Sequence, residues 1–227
     1  MPDPVANSSL PAELLELYAP LLVEPDPILV VAHLAQSLDG CVALHTGESQ
    51  WISGQEDILH THRLRALVDA VVVGVQTVLD DDPQLNVRLC EGQDPVRVVL
   101  DPRGRAHRGL RVFREGPPTW RFCARAEREH DVVLPVHDGL FAPADVLAAL
   151  AERGIRRVLV EGGGVTVSHF LAAGCVNRLH LVVAPVLLGG GRRAFPSPLV
   201  QELAAARRMP ARPIPLGSDW LFDCELR

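Results

Sequence analysis

Apolar positions in this chain fall into two patterns, short continuous runs and longer stretches with helical spacing. Between residues 10 and 23 the leucines at 10, 14, 17 and 21 recur every three or four positions, which predicts a helix ended by Pro25 and Pro27. Residues 28–34, 68–75, 96–100, 156–161 and 179–184 are apolar runs of strand length, with weaker strand patterns at 120–124 and 132–136 and a last one at 220–226. Helical spacing recurs at 55–67, 143–153 and 165–173, whereas 76–82 reads as a loop running into Pro83. Strands that are apolar throughout and alternate with helices predict an α/β fold, a mostly parallel sheet covered on both faces.

Glycine marks where such a sheet could bind something. Gly162, Gly163 and Gly164 lie between the run ending at Glu161 and the helix that follows. Without a Cβ the backbone can turn sharply and approach a ligand, and a helix starting there offers unpaired N–H groups suited to phosphate. By itself the same triplet serves equally well as an empty strand-to-helix corner. A second triplet, Gly189–Gly191, lies in a loop after the strand at 179–184. The acids Asp80, Asp81 and Asp82 follow the strand that ends at Gly74. Consecutive carboxylates rarely converge on one ion, and with no distant partner acid they read as cap and turn residues, so no metal is expected.

Composition narrows the chemistry. The 227 residues carry a net charge of −6, which disfavours sequence-independent nucleic-acid binding. All 22 basic residues are arginine, so Schiff-base lysine chemistry and a P-loop lysine are excluded. Five scattered cysteines without a CxxC pair predict reduced thiols in the cytoplasm. No 18-residue apolar span and no basic leader occur, so no membrane partner is expected. The absence of HExxH and GxSxG patterns leaves hydrolysis without support. A sheet with a phosphate-friendly corner and no hydrolytic machinery suits an enzyme whose cofactor supplies the reactivity.

Several motifs then coincide in order: Ser37-Leu38-Asp39-Gly40, Gly47-Glu48-Ser49-Gln50-Trp51-Ile52, Val73-Gly74-Val75-Gln76-Thr77 through Asp82-Pro83, Leu85-Asn86-Val87-Arg88, Pro95 through Asp101, and Val160-Glu161-Gly162-Gly163-Gly164. Together they resemble the reductase domain of riboflavin biosynthesis, the C-terminal domain of the RibD family, over residues 28–227, with 1–27 as an N-terminal extension carrying a short helix. The resemblance implies a dihydrofolate-reductase-like three-layer α/β/α fold with a mostly parallel central sheet and an antiparallel C-terminal strand. It implies an NADPH-dependent oxidoreductase, a homodimer, that reduces 5-amino-6-(5-phosphoribosylamino)uracil to its ribitylamino product. No HxE…PCxxC zinc signature of a fused deaminase occurs, so a stand-alone reductase is expected.

By that resemblance, substrate contacts fall on Ser49, Arg65, Leu85, Arg88 and Glu161, the two arginines neutralising the ribose phosphate. Cofactor contacts fall on Ala35, Trp51, Thr77, Asp81 and Pro102, and on the segment Gly163, Gly164, Val165, Thr166, Val167, Ser168 and His169. Catalytic roles fall on Glu161 and Asp39, the latter as an orienting or proton-transfer group whose turn position also accounts for it. Two positions depart from the family pattern: His33 stands where bacterial relatives commonly carry Lys, and Pro102 where Ser is common. Arg103 and Arg105, just after Pro102, are candidates for a 2′-phosphate. A reductase of a pterin or another pyrimidine-derived compound, and a non-catalytic nucleotide-binding module, are the alternative expectations.

Overall fold

The computed structural model describes residues 10–114, 116–196 and 202–227. Positions 1–9, the start of the expected N-terminal extension, lie outside the described residues. Among the described residues the central sheet has nine strands in the order β10-β11-β8-β1-β7-β3-β4-β5-β6. These are β1 (Leu29–Ser37), β3 (Ala70–Gly74), β4 (Val96–Leu100), β5 (Thr119–Cys123), β6 (Asp131–Val133), β7 (Arg157–Glu161), β8 (Arg178–Ala184), β10 (Ala211–Leu216) and β11 (Asp219–Glu225). From β8 to β6 every pairing is parallel, while β11 runs antiparallel to both β8 and β10. A separate antiparallel pair, β2 (Cys41–Ala43) and β9 (Arg192–Arg193), stands beside it.

Burial on both faces explains the continuous apolar runs. Val31, Val71, Val73 and Leu159 point to one face, where they meet α1 (Ala12–Leu22), α2 (Gln55–Leu67) and α3 (Val75–Asp81). Val30, Ala32, Val72, Val158 and Val160 point to the other, under α4 (Pro143–Ala151) and α5 (Gly164–Ala172). This is the expected three-layer arrangement. Among the described residues no helix is long and apolar enough to cross a membrane.

Four elements depart from the sequence reading. Residues expected as a loop before Pro83 form α3, which stops where Asp82 adopts φ 39° and returns its N–H to the Val78 carbonyl. Three acids at a helix C-terminus oppose the dipole and disguise the helix. β10 contains Pro213 and Pro215, which argue against a strand in general but are tolerated at a sheet edge, where β10 lies. β2 and β9 are too short to leave a pattern.

A polar cluster lies inside the α-covered face. The Tyr18 hydroxyl of α1 hydrogen-bonds with Nδ1 of His60 on α2 at 2.7 Å, and His60 Nε2 lies 3.2 Å from Nδ1 of His180 on β8. Both imidazoles are fully buried, and burial pushes their pKa values well below 6.5. Because the folded values are depressed, their contribution to stability is complete above about pH 6.5. It is lost as pH falls towards the folded values, since the unfolded chain then binds protons that the folded one excludes. Urea midpoints should therefore fall between pH 6.5 and 5, each histidine contributing up to about 1.4 kcal/mol per pH unit; His180→Gln should flatten the slope.

Candidate active site

The strands of the parallel block all end on one side, the place where open α/β sheets bind ligands. Here a cleft of about 550 Å³ opens over the ends of β1, β3 and β7, lined by His33, Ala35, Ser49, Thr77, Asp81, Glu161 and the glycine triplet, with Arg192 and Arg193 on its β9 wall. A second lobe of about 290 Å³ shares Gly74, Gln76, Val165 and Thr166 with it and extends to Pro102, Arg103, Arg105 and His169. The two lobes form one groove, divided by the start of α5.

The glycine corner is built by close backbone approach. Gly162 has φ +96°, and a Cβ there would meet Thr77 at 3.0 Å. Gly163 donates its N–H to Thr77 Oγ1 at 3.0 Å. A side chain on Gly164 would run into the carbonyls of Arg193 and Ala194. This third glycine thus seats α5 against the β9 segment. No side chain caps α5, so its first turn presents amides and the positive end of its dipole to the groove.

At the end of β7, directly before this corner, Glu161 and Arg65 form a bidentate ion pair. Arg65 Nε donates to Oε2 at 2.8 Å, Nη2 donates to Oε1, and Nη1 donates to the Asn86 carbonyl at 3.1 Å. Burial alone would raise the Glu161 pKa, but Arg65 outweighs it and holds the carboxyl below its ordinary range. The two residues expected to meet substrate separately are therefore brought together. Arg88 is exposed beyond them, its guanidinium donating to Asn86 Oδ1 at 3.0 Å, and His62 beneath accepts the Arg88 N–H. Burial, with Arg65 and Arg88 nearby, lowers the His62 pKa to about 4, which leaves it neutral beside the cations.

Other expected residues take different stations. Asp39 is outside the cleft lining. Its carboxylate accepts from Ser37 Oγ at 2.5 Å and from the N–H groups of Leu188 and Gly189, tying the β1–β2 turn to the loop before β9. That is a structural task, and the Ser37 hydrogen bond leads the contacts that lower its pKa. Leu85 is buried in the core at φ +54°. Val167 and Ser168 turn inward, away from the α5 face of Val165, Thr166 and His169 that borders the groove. Trp51 is 77% exposed on the outer rim rather than walling the cleft. The three acids diverge: Asp80 pairs with Arg192 at 2.7 Å, Asp81 accepts from Ser49 at 3.0 Å, and Asp82 accepts the Arg111 N–H at 2.6 Å. Arg192, Arg193 and Thr61 were not singled out in the sequence; only the second glycine triplet hinted at the β9 wall, where Gly191 packs on the Ala43 carbonyl.

A dihydrofolate-reductase-like sheet with a glycine-floored groove defines the class. The family described as the RibD C-terminal domain matches residues 29–214, and the chain belongs to that family. It is 39% identical over 193 residues to riboflavin biosynthesis protein RibD of Mycobacterium tuberculosis, covering 83% of this chain and 48% of that protein. The chain thus spans about half the length of such RibD relatives. It is 33% identical over 213 residues to the 2,5-diamino-6-ribosylamino-4(3H)-pyrimidinone 5′-phosphate reductase of Methanothermobacter thermautotrophicus, covering 86% of this chain and 96% of that one. The crystal structure of the deaminase/reductase of Thermotoga maritima superposes with a TM-score of 0.75 at 28% identity, over 94% of this chain and 59% of that one. Dihydrofolate reductase of Enterococcus faecalis shares the fold at a TM-score of 0.52 and 14% identity, over 87% of this chain and 96% of that one.

Removing either partner of the buried pair leaves an unpaired charge. Arg65→Leu or Glu161→Leu should each cost about 3–5 kcal/mol in denaturant unfolding, and the double variant should cost less than the sum. Gly164→Ala should cost about 1–3 kcal/mol by displacing the β9 segment.

Proposed function

We propose that the groove holds NADPH and reduces 5-amino-6-(5-phosphoribosylamino)uracil at the ribose C1′, with residues 28–227 as the reductase unit and 1–27 as an extension. The observation that carries this reading is the two-lobed groove itself: a buried charged lobe at Glu161 and an arginine-bearing lobe at Pro102–Arg105, joined across the uncapped start of α5. The residues fit a dinucleotide, because the corner that would receive its diphosphate is one where a Cβ would fill the available space. When bound, the nicotinamide supplies the hydride.

The chain's own residues bind and orient. Thr77 and the first-turn amides of α5 hold the diphosphate, and the exposed Arg103 and Arg105 receive the 2′-phosphate at the outer lobe. Arg88 and the spare hydrogens of Arg65 meet the substrate's phosphate, while Glu161 keeps Arg65 in place and faces the pyrimidine. Rate enhancement comes mainly from alignment and exclusion of water. The archaeal relative's name makes the 2,5-diamino pyrimidinone the natural competing substrate. The same reading makes the protein a cytoplasmic homodimer.

Purified protein should oxidise NADPH only when a phosphoribosylamino pyrimidine is present, and turnover of the uracil and diamino compounds should be compared side by side. Folded protein that binds NADPH yet reduces neither would sink the assignment. The Arg103→Ala/Arg105→Ala double variant should raise the KM for NADPH roughly 10- to 100-fold while leaving that for NADH nearly unchanged.

A further inference from the structure

His33 sits where β1 enters the cleft, between Glu161 of β7 and His180 of β8 in the strand register. It is 6% exposed and lines the larger lobe. Its Nε2 lies 2.9 Å from Asp57 Oδ1, and the other Asp57 oxygen accepts from Ser53 Oγ at 2.6 Å. Asp57 is thus fixed as an acceptor, which makes His33 Nε2 a donor and leaves Nδ1 without a partner among the described residues.

The remaining ionisable side chains of this lobe are otherwise engaged. Glu161 is held by Arg65 and Asp80 by Arg192, while Asp81 accepts from Ser49. Arg192 donates to Asp80, and Arg193 donates to the Asp39 carbonyl at 3.0 Å. His33 is the cleft-lining group, among the described residues, that can both hold and give a proton there.

We propose that His33, oriented through Nε2 by Asp57, is the proton donor of this site, giving its Nδ1 proton to the ribose ring oxygen as the substrate opens. In that step the C1′–O4′ bond breaks and its electron pair goes to O4′, which takes the proton and becomes a hydroxyl. The lone pair of the attached nitrogen forms the C1′=N bond, so neutral imidazole and an iminium replace imidazolium and a neutral ribosylamine. The iminium is the hydride acceptor, the dihydronicotinamide being the reductant, and water reprotonates the imidazole. The proposal rests on the reductase reading above.

The surroundings favour this role. Asp57, His60 and Arg65 face His33 from α2, Glu161 from β7 and His180 from β8. Burial alone would drive the imidazole neutral, and Arg65 acts the same way. Asp57 and, more weakly, Glu161 overcome them and raise its pKa. His60 stacks edge-on at 5.4 Å between ring centroids and, like His180, is itself held neutral, so the cluster behind the donor adds no competing charge. Tyr18 anchors that cluster from α1, which gives the N-terminal helix a place behind the site.

The test follows kcat against pH in the wild type, His33→Gln, His33→Lys, Asp57→Asn and Asp81→Asn, together with an NMR titration of labelled imidazoles in the unliganded protein. Wild-type kcat should fall as pH rises through the raised His33 pKa. His33→Gln should lose roughly 10²–10⁴-fold in kcat, lose that alkaline limb and keep its KM for NADPH. His33→Lys should regain activity with the limb at higher pH, and Asp57→Asn should lower the His33 titration point. Asp81→Asn should keep the limb. A wild type that turns over while His33→Gln retains most activity and the same limb overturns the proposal alone, as does a limb that vanishes in Asp81→Asn. A wild type that reduces neither pyrimidine overturns the functional reading and the proposal with it. If His33→Gln fails to fold, an unshifted His33 titration in Asp57→Asn still overturns the dyad.

Discussion

The site is organised by one buried ion pair. Arg65 and Glu161 come from segments 96 residues apart, and their bidentate contact fixes α2 against the end of β7. The Nη1 bond to the Asn86 carbonyl draws the 84–88 loop into the same arrangement. Taking two charges out of water is favourable only when geometry is good and other donors are used, so three chain segments are held to a narrow set of positions. His62 stays neutral beside them, and His33 lies in register with the carboxylate. The cleft has its shape because the charges at its floor tolerate little displacement.

A second constraint acts on backbone rather than charge. Gly162 and Gly163 approach Thr77, Gly164 approaches Ala194, and Gly74 packs on Thr166. These contacts bring the starts of α3 and α5 and the β9 segment within one turn of each other. Small residues are what allow these segments to approach so closely at the corner. The buried charge of Glu161 and the close backbone of the corner thus meet at adjacent residues.

Much of this architecture was legible from the chain. Val71–Val73 and Val158–Val160 announce strands buried on both faces, and the glycine triplet announces the corner after β7. What could not be read was pairing at long range. Nothing local indicates that Arg65 is consumed by Glu161, that Asp39 serves a turn, or that Ser168 faces the core. The acids ending α3 and the prolines of β10 hid real elements, because dipole complementarity and strand propensity are weak beside tertiary packing. His33 stood out only as an unusual residue; its partner Asp57 lay within an ordinary-looking helix.

The strand order also has a consequence in time. β1 precedes β7 and β8 by more than a hundred residues, yet these are its neighbours in the sheet, so Leu29 waits for Arg157 and Ser37 for Ala184. A chain emerging from the ribosome cannot close the middle of its sheet until the strand ending at Ala184 has been synthesised. Contacts of such sequence separation make folding slow. Until then a nine-residue strand with apolar side chains on both faces has no permanent cover, and its protection is a matter for the cell.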